Sequence, residues 1–147
     1  MTGPKYNVLK PEYQICFPLY AASREVIKRY RPYLDELNLT YTQYIAMMVL
    51  WDRHSVSAKE LGTRLFLDSG TLTPVLKSLE SKGFVRRERS LEDERVLMVT
   101  VTETGEALKE QAAEIPRRLA SCVGLEDEEA AQLHTLLYKL LKDFAEN

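Results

Sequence analysis

Apolar positions between residues 69 and 80 recur with the period of a helix. Leu72, Val75, Leu76 and Leu79 have the i, i+3, i+4, i+7 spacing of one helical face. The opposite face is polar, almost without acids, and consists of Ser69, Thr71, Thr73, Pro74, Lys77 and Ser81. The pattern predicts a helix that packs on one side and offers its other side to a polar partner.

A shorter helix is predicted directly before it, over residues 58–66. Ser57 and Glu60 have the spacing of a capping box at its start. Only Leu67 and Asp68 separate the two helices. Two short helices, a tight turn and a polar face on the second predict a helix-turn-helix, whose second helix would lie in a DNA major groove.

A hairpin is predicted next. Gly83 suits a helix end, where a left-handed residue is favoured, and segments 84–89 and 96–102 are rich in β-branched residues. The hairpin carries four arginines, which are Arg86, Arg87, Arg89 and Arg95. A charged hairpin by itself is most often a solvated turn. After a polar-faced helix it predicts the wing of a winged helix, since a narrow minor groove attracts arginine.

Helices are also predicted on the N-terminal side of this unit. Residues 1–10 are expected to be a loose arm. One helix is predicted from Pro11 to about Tyr33, with Pro18 and Pro32 expected to kink or end it.

The next helix, over residues 41–53, follows the capping box Thr40-x-x-Gln43. It is apolar nearly all round, so burial is expected, with Met47 and Met48 in the core. Residues 55–56 are expected to add a third strand to the wing.

Two further helices are predicted after the wing. One runs from residue 103 to about 122, with a kink at Pro116, and the other runs from about Asp127 to Ala145 with an apolar stripe. Because the winged unit is already complete, we interpret the first and last helices as a dimerisation layer around it. The expected fold is mainly α with a small β-wing. A two-fold dimer would hold its recognition helices roughly 34 Å apart, which is one DNA turn.

Composition and charge narrow the classes of function. The 147-residue chain is 45% hydrophobic and 29% charged, and it has no apolar run of bilayer length. The first six residues begin no signal core, so we expect a cytoplasmic protein without a membrane partner. The net charge of −2 is uneven: residues 103–147 hold 5 Lys/Arg and 10 Asp/Glu, which gives −5. The acidic excess is therefore expected away from the DNA face.

No catalytic or metal-binding set is evident. His54 and His134 lack partners at ligand spacing, and Cys16 and Cys122 do not have zinc spacing. No glycine-rich phosphate loop occurs. The sequence therefore predicts no cofactor and argues against an enzyme.

Several strings of residues resemble a known family. Leu67-Asp-Ser-Gly-Thr-Leu-Thr-Pro74, followed by Glu92-Asp-Glu-Arg95, is similar to the MarR family of winged-helix repressors. Gln14-Ile-Cys-Phe-Pro-Leu-Tyr-Ala-Ala-Ser-Arg24 with Leu39-Thr-Tyr-Thr-Gln-Tyr44 resembles its organic hydroperoxide sensor branch, OhrR. The resemblance covers essentially the whole chain. It implies a homodimeric repressor that releases a near-palindromic operator when an organic hydroperoxide oxidises it.

The resemblance also implies residue roles. Cys16 matches the peroxidatic cysteine, Tyr30 and Tyr41 match tyrosines that hold its thiolate across the dimer, and Tyr20 matches a further aromatic residue near it. Pro18 departs from the pattern, in which an aliphatic residue is expected.

On the DNA side, Ser69, Thr71, Thr73 and Lys77 match the recognition face. Asp93 and Arg95 match a wing pair in which the acid orients the arginine, and Arg86 and Arg87 are further candidates. The chain would thus divide into residues 1–38 for dimerisation and redox sensing, 39–102 for DNA binding, and 103–147 for dimerisation.

Elementary chemistry is compatible with a sensing role for Cys16. The thiolate is the nucleophile toward a peroxide, and a helix N-terminus favours an anion. Neighbouring apolar residues could favour alkyl hydroperoxides. Considered from its residue type alone, however, Cys16 is more often a small buried hydrophobe.

Cys122 bears on whether the protein has the one-cysteine or the two-cysteine form of this family. In the two-cysteine form of the family, a resolving cysteine of the partner subunit lies near the end of the helix after the wing, and Cys122 falls at about that place. The hypothesis is oxidation of Cys16 to a sulfenic acid, followed by a disulfide with Cys122. The alternative is that Cys122 is idle and Cys16 pairs with a low-molecular-weight thiol.

Two other functions stay open at this point. One is a MarR-type regulator controlled by a phenolic or other small ligand rather than by cysteine oxidation. The other is a thiol peroxidase that uses Cys16 and Cys122, although this would leave the polar helix face and the wing unexplained.

Overall fold

Residues 7–147 are described by a computed structural model, in which helices surround a small sheet. The elements are a 3-10 turn at Pro11–Tyr13, α1 (Cys16–Glu36), α2 (Tyr41–Arg53), β1 (Ser55–Ser57), α3 (Ala58–Leu65), α4 (Ser69–Ser81), β2 (Val85–Arg89), β3 (Leu97–Val101), α5 (Glu103–Ala107), α6 (Lys109–Ala112), α7 (Ile115–Ala120) and α8 (Asp127–Glu146). The expected loose arm falls mostly on residues 1–6, which lie outside the described range. No helix within that range is both long and apolar enough to cross a membrane.

The winged helix-turn-helix is confirmed. The antiparallel sheet has the order β1-β3-β2, and β3 pairs with both neighbours. The turn between α3 and α4 is tight because Phe66 takes a left-handed conformation, with φ of 56°. A Cβ on Gly62 would lie 2.8 Å from the Leu67 carbonyl oxygen, so this approach requires glycine.

The core joins the helix-turn-helix to α2 and the sheet. Its fully buried larger side chains are Met47, Leu50, Leu61, Leu76, Leu79 and Val99. The expected burial of Met48 is wrong, since this side chain is 47% exposed. Part of the apolar surface of α2 is therefore left exposed by its own chain.

The first helix begins and ends later than expected. Cys16, rather than Pro11, is its first residue, and it continues past Pro32 to Glu36. Pro18 does not break it, because the N–H groups of a first turn have no helical partner in any case. Pro32 removes one hydrogen bond, but burial of Leu34 and Leu37 holds the C-terminal turn in place.

The single long helix expected after the wing is also wrong. Three short helices, α5 to α7, occupy this segment. Tight i to i−3 hydrogen bonds, from the Leu108 and Glu114 amides, occur where they meet. Pro116 stands in the first turn of α7 instead of kinking a continuous helix.

Much apolar surface stays open in the single chain. No residue of α8 is buried within the single chain, and the packing of its apolar stripe in a dimer stays a prediction. In α1 only Leu34 is buried, and Phe17 is 49% exposed. The first and last helices thus present apolar faces that this chain alone does not cover.

Candidate redox site and nucleic-acid interface

The second helix of the helix-turn-helix, α4, divides into a buried side and a polar side. Leu72, Leu76 and Leu79 are buried against the core. The predicted contact residues Ser69, Thr71, Thr73 and Lys77 are all exposed. The structure therefore leaves these four side chains accessible on the part of α4 that does not face the core.

Asp68 starts this helix and was not singled out from the sequence. Its carboxylate accepts a hydrogen bond from the Thr71 amide at 2.7 Å. The Thr71 amide, followed by its hydroxyl, holds the pKa of Asp68 below its usual value. The sequence carried a signal for it, since aspartate directly before the first residue of a helix is among the favoured N-caps. Asp68 fixes the end of α4 that follows the turn.

The wing tip carries the predicted Asp93–Arg95 pair. Asp93 Oδ1 accepts from the Arg95 amide and from its Nε, each at 3.0 Å, and Oδ2 accepts from Nη2 at 3.1 Å. The guanidinium, followed by the amide of Arg95, lowers the pKa of the Asp93 carboxyl. The Arg95 side chain is still 91% exposed. An exposed ion pair adds little stability, so its main effect is to orient the arginine outward.

Two further wing arginines, Arg86 and Arg87, are paired with carboxylates. Glu80, near the end of α4, accepts from the Arg87 amide and Nη2 at 3.0 Å and from Nε at 3.3 Å. This guanidinium lowers the pKa of Glu80. Arg87 therefore fastens the wing to the recognition helix, and its DNA contact stays a prediction. Arg86 pairs with the neighbouring Glu88 and is largely exposed.

Tyr30 and Tyr41 are brought together. Their ring centroids lie 5.0 Å apart in an edge-to-face arrangement, and Tyr44, which the sequence analysis did not select, lies 5.8 Å from Tyr30. Burial raises the pKa of Tyr30 and of Tyr41, and it raises that of Tyr44 to about 12. These phenols therefore stay protonated at neutral pH and can donate hydrogen bonds to an anion.

The two cysteines are both exposed, and Cys16 lies far from this cluster along α1. Cys16 is the first residue of α1, and Tyr30 lies 14 positions later in the same helix, roughly 21 Å along its axis. Tyr20, one turn after Cys16, is exposed and carries the Arg24 guanidinium 5.5 Å from its ring centroid. Cys122 lies beyond α7, where Arg118 covers the Tyr33 ring. Within one chain, Cys16 therefore lies neither beside Cys122 nor beside Tyr30.

A recognition helix with a polar face, followed by an arginine-bearing wing, defines a winged-helix DNA-binding protein. The family model described as transcriptional regulator SarA/Rot matches residues 26–112. The organic hydroperoxide resistance transcriptional regulator of Bacillus subtilis (strain 168) is 46% identical over 138 residues, which are 94% of each protein. The chain belongs to the MarR family of winged-helix transcriptional regulators, in its organic hydroperoxide resistance branch.

Solved structures of AbfR, a protein of Staphylococcus epidermidis, have the same fold. Reduced AbfR bound to DNA superposes with a TM-score of 0.80 at 32% identity, covering 97% of both chains. AbfR with its disulfide formed gives 0.68 at 33% identity, covering 96% of both chains. This chain thus superposes better on AbfR bound to DNA than on AbfR with its disulfide formed.

Proposed function

We propose that this protein is a homodimeric repressor that leaves its operator when an organic hydroperoxide oxidises Cys16. The observation that carries the proposal is the formed Tyr30–Tyr41 pair, with roughly 21 Å of helix between it and Cys16 of the same chain. If two α1 helices pack antiparallel about a two-fold axis, each Cys16 meets the partner's tyrosine pair. The sensing site would then be complete only in the dimer.

The uncovered helices support this assembly. An amphipathic helix of 20 residues is stable in water when its apolar face is covered, yet α8 has no buried residue in the single chain. The exposed apolar residues of α1, which include Phe17 and Leu19, add to the same uncovered surface. A two-fold partner would cover both helices at once.

The chemistry starts at the N-terminus of α1. The helix dipole favours the Cys16 thiolate, and the partner's phenols would donate hydrogen bonds to it. The thiolate attacks one peroxide oxygen, the O–O bond breaks, and the alkoxide leaves as an alcohol after taking up a proton. Cys16 is oxidised to a sulfenic acid. A second thiolate then attacks its sulfur, the S–O bond breaks, and hydroxide leaves as water after taking up a proton, which gives a disulfide.

We assign the second thiol to Cys122 of the other subunit. Within one chain, Cys16 lies roughly 26 Å along α1 from Tyr33, which packs beside Arg118, one turn before Cys122. A disulfide needs Cα atoms within about 7 Å, so closure within the chain would require α1 to come apart. Closure between subunits would pull α1 from the tyrosines and change the spacing of the recognition helices. AbfR, which is known in both reduced and disulfide forms, fits this scheme. A low-molecular-weight thiol is the alternative partner of Cys16.

This assignment predicts a covalent dimer. One equivalent of cumene hydroperoxide should convert the protein to a disulfide-linked dimer on a non-reducing gel, and dithiothreitol should reverse it. Cys16→Ser and Cys122→Ser should each abolish the band. A sulfenic acid on Cys16 without a covalent dimer would transfer the second step to a small thiol. An unmodified Cys16 would contradict the proposed function.

We further propose that α4 enters the major groove and that the wing tip enters the minor groove of a near-palindromic operator. The four exposed residues of α4 and the outward Arg95 support this placement. Acting on chromosomal DNA, the protein would be cytoplasmic.

Arg95→Ala should weaken operator binding by about 10- to 100-fold, because a good arginine contact in a groove contributes about 1–3 kcal/mol. Asp93→Asn should have a smaller effect, since it keeps the arginine but frees its orientation. Fluorescence anisotropy would measure both, with a duplex that the reduced protein selects from a random pool. Arg117→Ala, which removes an exposed arginine of α7, is the matched control. Equal losses in the Arg95 and Arg117 variants would exclude a wing contact.

Ligand control is a second candidate, favoured by one cavity. About 590 Å³ of mostly apolar space lies between α3, α4 and the wing, and Leu72, Leu76 and Arg87 are among its lining residues. A small aromatic acid would fit this chemistry. A ligand sensor would respond normally after Cys16→Ser, whereas the redox sensor would not.

A further inference from the structure

One buried polar side chain connects the start of α2 with the recognition helix. Gln43 is 5% exposed and lies in the first turn of α2. Its Nε2 donates to Ser78 Oγ on α4 at 2.9 Å, and its Oε1 accepts from the Thr40 amide at 3.0 Å. The same amide group therefore caps its own helix and holds the neighbouring one.

Lys82 joins this contact from the end of α4. Its ammonium donates to Gln43 Oε1 at 2.8 Å and to the carbonyl oxygen of Asn38 at 2.7 Å. Asn38 belongs to the turn between α1 and α2 and takes a left-handed conformation, with φ of 55°. The Gln43–Ser78–Lys82 junction thus ties both sides of this turn to the C-terminal half of the recognition helix.

The junction is polar where packing alone would favour an apolar residue. The neighbouring positions Ala46 and Met47 are fully buried. A buried amide is tolerated only when its hydrogen bonds are made, and among the described residues none of the buried side-chain nitrogen or oxygen atoms lacks a partner. A fully satisfied buried network specifies one relative placement of the elements that it joins. Here these elements are the α1–α2 turn and α4.

The same turn also carries the tyrosine pair. Tyr41 lies two residues before Gln43 in the first turn of α2, and its ring packs edge-to-face against Tyr30 of α1. A displacement of α1 that separates these two rings therefore acts on the residues that position Gln43. Its hydrogen bonds to Ser78 and Lys82 lead from there directly to α4.

We propose that Gln43 is a positioning residue that transmits the state of the Tyr30–Tyr41 pair to the recognition helix through Ser78 and Lys82. This inference rests on the proposed function, because it requires that oxidation of Cys16 disturbs the tyrosine pair. It adds the route by which that disturbance reaches the DNA-binding face.

The test compares operator affinity in two redox states. The measured quantity is the ratio of the operator Kd of the peroxide-oxidised protein to that of the reduced protein, by fluorescence anisotropy. Gln43→Met keeps the volume but removes all three hydrogen bonds. Gln43→Glu keeps acceptors for the Thr40 amide, Lys82 and the Ser78 hydroxyl, and glutamate suits this capping position. The ratio should fall at least tenfold in Gln43→Met and be retained in Gln43→Glu.

Ser78→Ala is a milder variant that removes one of the two links from Gln43 to α4 and leaves the one through Lys82, so it also serves if Gln43→Met does not fold. Its ratio should fall as well, while a non-reducing gel shows normal oxidation of Cys16. Ser55→Ala is the control, since it removes another side-chain hydrogen bond, 2.8 Å to the Thr100 hydroxyl between β1 and β3, and should keep the ratio.

Three results would overturn the inference. The ratio could remain unchanged in both Gln43→Met and Ser78→Ala, or it could fall equally in the Ser55→Ala control. A wild-type ratio near one, in protein whose Cys16 is oxidised, would remove the proposed function together with this route. Since the wild-type ratio is measured first, the two kinds of failure are distinguished.

Discussion

Cys16→Ser protein is expected to bind its operator with wild-type affinity and to stay bound at any concentration of organic hydroperoxide. The hydroxyl that replaces the thiol is too weak a nucleophile to attack the peroxide, so no sulfenic acid forms and α1 keeps its position. Serine has nearly the size of cysteine and stands at the exposed first residue of α1, so the fold should be unaffected. When cumene hydroperoxide is titrated in, the anisotropy of the labelled operator should therefore stay constant for this variant. The wild-type protein should release the operator completely.

Cys122→Ser is the companion variant for this titration. It retains the Cys16 thiol, so any release that it shows must come from the sulfenic acid or from a mixed disulfide with an added thiol. Release only after addition of such a thiol would identify the small-thiol route. Release of the Cys16→Ser variant itself would contradict cysteine-based sensing and would favour the ligand-controlled alternative.

Gly105→Ala is expected to destabilise the fold by about 3 kcal/mol, at the upper end of what added atoms cost in a tightly packed site. A Cβ at this position would be driven into the Phe84 carbonyl oxygen and would lie 2.9 Å from Val101 Cγ2. The Phe84 carbonyl accepts from the Thr102 amide at 3.0 Å and Val101 belongs to β3, so neither can move aside as a flexible side chain would. Thermal unfolding should show Tm lowered by roughly 10 °C for a chain of this size.

Gly70→Ala provides the matched control for this unfolding experiment. Gly70 also lies near the start of a helix, but a Cβ there would meet only the Asp68 carboxylate, at 3.3 Å. Alanine is the better helix former, so the control should be neutral or slightly stabilised. Similar losses of stability in both variants would show that helix geometry, and not the contact with Phe84, sets the effect.

The winged helix could be predicted from sequence because its signals are local. The i, i+3, i+4 spacing of Leu72, Val75 and Leu76, the glycine at position 83 and the β-branched strands each depend on neighbours a few residues away. The start of α1 could not be predicted in this way. The 3-10 turn at Pro11–Tyr13 and the break before Cys16 compete with a plausible continuous helix, and no local pattern separates the two.

The candidate site residues likewise divide into those that local sequence patterns predict and those that they do not. The exposed face of α4 follows from its period, and the orientation of Arg95 follows from a carboxylate two residues away. The roles of Cys16, Tyr30 and Tyr41 came only from the resemblance to the family. Sequence patterns did not predict the Arg87–Glu80 ion pair or the hydrogen bonds of Gln43. Each of these contacts joins residues on different elements, and such contacts produce no periodic pattern in the sequence.

The chain holds a single tryptophan, and its surroundings give it an optical use. The Trp51 ring lies 6.3 Å from that of Tyr44, which in turn is next to Tyr30 and Tyr41. Light absorbed by these tyrosines can pass to one indole, whose emission colour depends on its immediate environment. The protein therefore carries an intrinsic fluorophore beside the proposed sensing cluster, so that the cluster can be followed in real time without an attached dye.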